Sequence, residues 1–324
     1  MWKKRVISAW NEWGRLQEAA IGRVYDSAEP GYIEELVWLS DEGKKAINSK
    51  PGELTRIAFP EKCASIQNTL DELAKVLEAH GVIVHRTAPI PEEYIEESEY
   101  LSNLQAGNYT IGGADFFRVI GNHMLLLNSF RYPFRRKSLW SVRRMIEPVI
   151  EDARVMYIAT PPPSPHYTKD DLYLENGDIM IDGHNVYVGM SGNATSAKGI
   201  AWLTSLLGDE YRVHTIRLRP DLFHLDWVLT LNRPGLLTWY PEALVDELPP
   251  PLTKWDKIAI TSEEVAGANN LSIDENTIVV AEHHHRIADE YRKRGMTVVT
   301  IPAEDTIIYG SGPRCLTGVI CREP

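Results

Sequence analysis

The chain has 324 residues, of which 34 are Lys or Arg and 45 are Asp or Glu, for a formal charge of −11. That balance excludes duplex nucleic acid as the expected partner, because such binding needs a concentrated basic surface. With 44% hydrophobic residues, the chain can bury one large core or two ordinary ones, and no run approaches the roughly 18 apolar residues of a membrane helix.

The chain opens MWKKRVISAW, which lacks an apolar segment followed by a small-residue cleavage site, so no secretory signal is read there. From Arg5 to Arg23 short strand-like pieces recur. The stretch from Glu29 to Gly52 holds Pro30, Gly31 and Pro51 and reads as a loop or lid. Ile66, Leu70, Leu73, Val76 and Leu77 fall at helical spacing, which predicts a helix from Ser65 to Ala79, capped at Gly81 and followed by a strand from Val82 to His85.

A pattern then repeats more clearly: an extended segment, a Gly/Asn turn, a second extended segment, a helix and a short apolar strand. The first such copy is Phe116 to Asn128, turning at Gly121-Asn122, with a helix from Leu139 to Ile150 and a strand from Arg154 to Ala159. Between them, the basic run Arg131 to Lys137 reads as a loop or helix approach rather than a nucleic-acid patch. Thr160 to His166, with three consecutive prolines, is a stiff connector at the cleft wall or surface. The second copy is Asp178 to Met190, with a helix from Ala194 to Leu207 and a strand from Arg212 to Leu218. The third is His224 to Trp239, with a short helix from Pro241 to Leu248 and a strand from Lys257 to Ile260. The fourth is Asn269 to Ala281, with a helix from Ala281 to Arg294 and a strand from Met296 to Ile301.

With the looser N-terminal copy there are five units, at a period of about 45 to 60 residues, and no unit buries its apolar face alone. A closed ring does. The expected architecture is a single α/β domain over residues 1–324, a five-bladed pseudo-symmetric propeller of ββαβ units.

The polar departures from this pattern fall at corresponding ends of the units: Asp115, Glu175 with Asp178, His224 with Asp226, and Cys315. Arranged about one axis, these ends converge on an acidic pocket that holds a thiol and an imidazole. Cys315 follows the glycine-rich Gly310-Ser311-Gly312-Pro313-Arg314, which lets a nucleophile stand clear of its backbone. The plainer reading of a free cysteine is a core residue, and it is preferred for Cys63 and Cys321. His224 and Asp226, two apart, share a face on an extended strand. Carboxylates suit a planar guanidinium, with its five N–H donors. Together these residues suggest Asp115, Asp178 and Asp226 as anchors for a guanidinium. Cys315 is the nucleophile, and His224, oriented by Glu175, handles protons. No metal or cofactor is called for. Three cysteines make no disulfide framework, and the His283-His284-His285 run has no matching second ligand cluster. The cytoplasm is the expected compartment.

The chain resembles the guanidino-modifying superfamily, whose fold is a five-bladed α/β propeller. Asn11-Glu12-Trp13-Gly14, Ile21-Gly22-Arg23, and Val119-Ile120-Gly121-Asn122 with Arg131 and Arg143-Arg144 are similar to amidinotransferase segments. The resemblance implies that Asp115 is a guanidinium-binding Asp, that His224-Leu225-Asp226 carries the histidine and a further substrate Asp, and that Cys315 is the nucleophile. Glu175-Asn176-Gly177-Asp178 departs toward the deiminase and dimethylarginine hydrolase branch, with the triad acid falling on Glu175. Residue 114 is Ala where an Arg is usual, and Thr238 to Ala243 lacks the arginine expected to hold a donor carboxylate.

The resemblance implies amidino transfer from L-arginine or a related guanidine to a small amine acceptor. The alternative is hydrolysis, with water as the final nucleophile. A non-catalytic propeller that binds cationic ligands is a different class of reading. Thiol–disulfide chemistry between Cys315 and Cys321 is disfavoured by their spacing. A homodimer is the ordinary assembly expected.

Overall fold

The computed structural model describes residues 5–25, 27–31, 36–38, 44–45, 49–89, 111, 116–136, 138–164, 168–307 and 310–324. In chain order, β1 (Arg5–Val6) and β2 (Leu16–Ile21) precede helix α1 (Pro60–Ala79) and β3 (Ile83–Arg86). The hairpin β4 (Phe117–Ile120) and β5 (His123–Leu126) leads through α2 (Leu139–Glu151) to β6 (Ala153–Arg154) and β7 (Met156–Ala159). The next hairpin, β8 (Ile179–Asp182) and β9 (Asn185–Met190), is followed by α3 (Ala197–Leu207) and β10 (Arg212–Arg217). Then come β11 (Leu229–Arg233), β12 (Leu236–Trp239) and β13 (Asp256–Ala259). The last stretch holds β14 (Leu271–Asp274), β15 (Thr277–Ala281), α4 (His285–Lys293), β16 (Thr297–Ile301) and β17 (Thr317–Arg322).

These strands form five three-stranded sheets of one design, plus the small pair β1–β6. In each blade an antiparallel pair is extended by a parallel third strand, as the ββαβ pattern requires. The parallel strand returns by a crossover. In four of the five blades an α-helix makes it, and α1 and α2 bury an apolar stripe (Ile66, Leu70, Leu73 and Leu77; Val142, Met145, Ile146 and Val149). The hairpin turn at Gly121 has φ 55°, a left-handed conformation that suits glycine.

The N-terminal blade differs from the sequence expectation. Its antiparallel pair is not made within residues 5–23. Instead β2 pairs with β17 from the other end of the chain, with Thr317 opposite Ile21, and in parallel with β3. The ring is thus clasped by strands about 300 residues apart, which local periodicity could not reveal.

Other boundaries shift for local reasons. α3 begins after Ser196, whose hydroxyl accepts the Gly199 N–H at 3.1 Å. α4 begins only at His285, because β15 runs on to Ala281. The expected helix from Pro241 to Leu248 is reduced to one 3-10 turn, Pro241–Ala243.

The inner strands β4, β8, β11, β14 and β17 gather about the axis, where β17 meets β4 and β11 meets β14. The segment before β2 laces the ring: Ile7 donates to Arg154 O, Ala9 bridges Gly121, and Trp10 O accepts the Gly183 N–H. It delivers Glu12 to the axis, where the carboxylate meets Arg118 from β4, Arg314 at 3.4 Å and the Ile181 N–H at 3.0 Å. Burial opposes its ionisation, but Arg118, Arg314 and Arg322 outweigh that and hold the Glu12 carboxyl below its usual range. The space left among these groups is ≈ 10 Å³, room for about one water, so charged side chains plug the axis. Among the described residues, no helix is long and apolar enough to cross a membrane.

Candidate active site

Each inner strand has a lead-in of a few residues, and the candidate residues occupy equivalent lead-ins. Glu175 is extended (φ −126°, ψ 140°) and starts the 3-10 turn Asn176–Asp178 before β8. His224 is extended (φ −102°, ψ 158°) and starts the turn Leu225–Trp227 before β11. Cys315 lies two residues before β17. Asp115, which would stand before β4, lies outside the described residues.

Glu175, His224 and Asp178 form one cluster, exposed by 0%, 2% and 0%. The imidazole Nε2 lies 2.9 Å from Glu175 Oε2. Glu175 also accepts the Arg135 guanidinium and the Arg131 N–H. Burial opposes ionisation of Glu175, but Arg135 and the His224 hydrogen bond prevail and hold its carboxyl below the ordinary range. Burial also works against an imidazolium, yet the Glu175 bond and the Asp178 charge raise His224 above the usual histidine value. Asp178 accepts one backbone N–H on each oxygen, from Leu225 at 2.9 Å and Thr195 at 3.1 Å. Burial nevertheless dominates there and pushes its carboxyl up to about 6.

Close backbone packing fixes the ring. A Cβ on Gly177 would come within 2.6 Å of His224 Cγ, so only glycine admits the imidazole here. The other side is aromatic: Phe223 stacks on His224 at 3.8 Å between centroids, and Trp38 stacks on Phe223 at 4.2 Å. Trp38 comes from the segment expected to be a loop or lid.

Asp226, Arg314, Cys315 and Asn269 form a second cluster. Asp226 Oδ2 accepts Arg314 Nη1 at 2.8 Å and lies 3.0 Å from Cys315 Sγ. Its Oδ1 is buried and has no hydrogen-bond partner among the described residues. Asn269 accepts the Cys315 N–H and donates Nδ2–H to Sγ, both at 3.0 Å. The turn from His224 to Trp227 carries His224 at one end and Asp226 inside, and so joins the two clusters. Burial opposes ionisation of Arg314 less than Glu12 and Asp226 favour it, and its guanidinium is held above the usual range.

Such a site offers a thiol beside a buried carboxylate with a free lone pair, and an imidazole biased toward the protonated form. It is suited to bind a planar cation and to exchange protons with a departing or arriving amine.

Four contributors to the site carry no clear mark in the sequence. The basic run before α2, expected as a loop or helix approach, contains a short helix at Pro133–Arg136, but its Arg131, Arg135 and Arg136 are 8%, 4% and 5% exposed, and Arg135 serves Glu175. Arg314 stands in the glycine-rich approach to Cys315, where nothing in the sequence marks its contact with Asp226. Trp38 sits in an insert with no periodicity. Asn269 begins the fourth unit, and its lead-in position was the available signal. Among the described residues no three His, Cys, Asp or Glu are grouped to hold a metal ion. His284 is the N-cap of α4, and burial depresses it to about 4.

No family model matches the chain. It is 30% identical over 155 residues to the uncharacterized protein YkgA of Bacillus subtilis (strain 168), a match spanning 47% of this chain and 54% of that protein. It is 22% identical over 360 residues to the mitochondrial glycine amidinotransferase of Xenopus laevis, covering 98% of this chain and 83% of that one. The structure matches SxtG, an amidinotransferase from Microseira wollei in the saxitoxin biosynthetic pathway, with a TM-score of 0.84, 23% identity and 98% coverage of both chains. A dimethylarginine dimethylaminohydrolase matches with a TM-score of 0.65 and 15% identity, over 94% of this chain and 99% of that one. The chain therefore has the five-bladed propeller fold of the guanidino-modifying enzymes, and its build is nearer to the amidinotransferase than to the hydrolase.

Proposed function

We propose that this chain is a cysteine-dependent amidinotransferase that moves an amidino group from L-arginine or a related guanidine to a small amine. The observation that carries the reading is the Cys315–Asp226 contact at 3.0 Å, on the turn that also bears the Glu175-bound His224. The likeness to SxtG over the whole chain supports transfer over hydrolysis.

The guanidinium binds with its N–H groups toward Asp226 Oδ1, a buried oxygen with no hydrogen-bond partner among the described residues. Asp115 and Asp178 are the further anchors in this reading. Cys315, as its thiolate, forms a bond from Sγ to the central carbon. The C–N bond to the departing amine then breaks, and His224 gives that nitrogen its proton. An amidino-thioether remains on the sulfur. The acceptor amine attacks the same carbon, His224 takes its proton, and the C–S bond breaks to return the thiolate. Glu175, held ionised by Arg135, keeps the imidazole in place and stabilises its charged form. Carboxylates set in advance hold the cation in attack geometry. We place the reaction in the cytoplasm, in the synthesis of a guanidino metabolite.

Hydrolysis is the second reading, favoured by the Glu175-Asn176-Gly177-Asp178 pattern. Incubation with arginine and a panel of amines separates the two. Ornithine with a new guanidino product supports transfer, and citrulline supports hydrolysis. Intact-mass analysis after trapping with guanidines should show an adduct that Cys315→Ala abolishes. An adduct that survives this substitution overturns the assignment of the nucleophile.

A further inference from the structure

The lead-ins before β8, β11 and β17 supply Glu175, His224 and Cys315, and the lead-in before β14 supplies Asn269. This residue is fully buried. Its side chain makes a two-point contact with the nucleophile: Oδ1 accepts the Cys315 N–H and Nδ2 donates to Sγ, each at 3.0 Å. The first bond fixes the amide orientation, since only the oxygen can accept an N–H, and this turns the NH2 group toward sulfur. Nδ2 also reaches Asp226 O at 3.3 Å. The Asn269 backbone is held in turn, its N–H on Ala266 O at 3.0 Å and its carbonyl accepting the Arg314 N–H at 3.4 Å. Gly312 permits the approach, because a Cβ there would stand 2.7 Å from Asn269 O.

The sulfur faces opposing influences. The Asp226 carboxylate at 3.0 Å accepts from a thiol but repels a thiolate. An amide N–H favours the thiolate and, being neutral, donates at every working pH. We propose that Asn269 is a positioning residue for the nucleophile, fixing the Cys315 main chain and donating a hydrogen bond to Sγ that favours its thiolate. The inference rests on the reading of Cys315 as nucleophile and deepens it.

Asn269→Asp tests it, because this variant keeps the acceptor for the Cys315 N–H and replaces the donor by a second anionic oxygen. The readout is the pH dependence of Cys315 alkylation by iodoacetamide in the full-length protein, with the modified cysteine identified by peptide mass mapping. The expected result is a profile moved to higher pH, with about tenfold slower alkylation at pH 7 or below. In turnover with arginine and an accepted amine, kcat should fall about as much while KM changes little. A folded Asn269→Asp protein with the wild-type alkylation profile overturns the proposal. If that variant does not fold, Asn269→Ala is read in the same way: a profile moved to higher pH supports the proposal and an unmoved one overturns it. Alkylation involves no guanidine, so this result is independent of donor class. Wild-type protein that is alkylated at Cys315 yet forms no adduct with any guanidine sinks the transfer reading, not this one.

Discussion

At Asp178 two effects compete, and the size of each decides the outcome. Two backbone N–H groups and a raised imidazole favour the carboxylate, yet burial prevails and its carboxyl reaches about 6 against an ordinary 3.8. A folded-state value above the unfolded one means that the native protein binds the proton more tightly. The stability this contributes is complete below pH 3.8 and is lost as the pH rises through about 6. The loss is on the order of 3 kcal/mol. Asp178→Asn should remove this slope: its thermal midpoint, compared with wild type, should rise relatively between pH 4 and pH 7. A constant difference across that range would show that Asp178 does not titrate there. Residues like this one were legible in sequence because acids and histidines at equivalent repeat ends are conspicuous. Arg135 and Asn269 were not, because one sits in a run that reads only as a loop or helix approach and the other carries no charge. Their roles depend on what faces them across the ring.

Turns and lead-ins set the geometry at the scale of elements. The Gly/Asn turns marked the hairpins β4–β5, β8–β9, β11–β12 and β14–β15 in the sequence, since the chain reverses most easily where side chains do not obstruct it. Helix starts were less visible, because a cap such as Ser196 competes with equally plausible polar residues nearby. The 3-10 turns before β8 and β11 could not be read from periodicity at all, and they aim Glu175 and His224 at each other. Gly177 is the tightest point of that arrangement. Gly177→Ala places a Cβ 2.6 Å from His224 Cγ, against a ring already stacked on Phe223. The expected outcome is an intact fold with activity reduced about a hundredfold or more, as follows from displacing a catalytic group by about 1 Å. Circular dichroism and steady-state kinetics check it; unchanged kcat would mean that the imidazole can relax without cost to the chemistry.

For the whole molecule, the repeat count was legible but the closure was not. Five units read from the sequence implied a ring, whereas the strand that completes the first blade lies at residues 317–322. Pairing over that separation carries no local signal and depends on a large entropic closure. Deleting residues 317–322 should therefore open the ring rather than trim an edge. It removes the partner of β2, the contact of β17 with β4, and Arg322, which donates to Gly14 O and Ser272 O at 2.6 Å. The expected result is loss of the cooperative thermal transition, with Cys63 becoming reactive to thiol reagents. A truncated protein that melts as sharply as wild type would show that the other four blades stand without the clasp.

The clasp also bears on when activity can first arise. Cys315 stands just ahead of β17, so the same stretch of chain that shuts the circle also carries the sulfur to Asn269 and Asp226. A growing chain carries the acid, the imidazole and their arginine before it carries the proposed nucleophile. In the reaction proposed above, attack on the amidino carbon therefore waits until residues 315–322 have been made and the circle has shut.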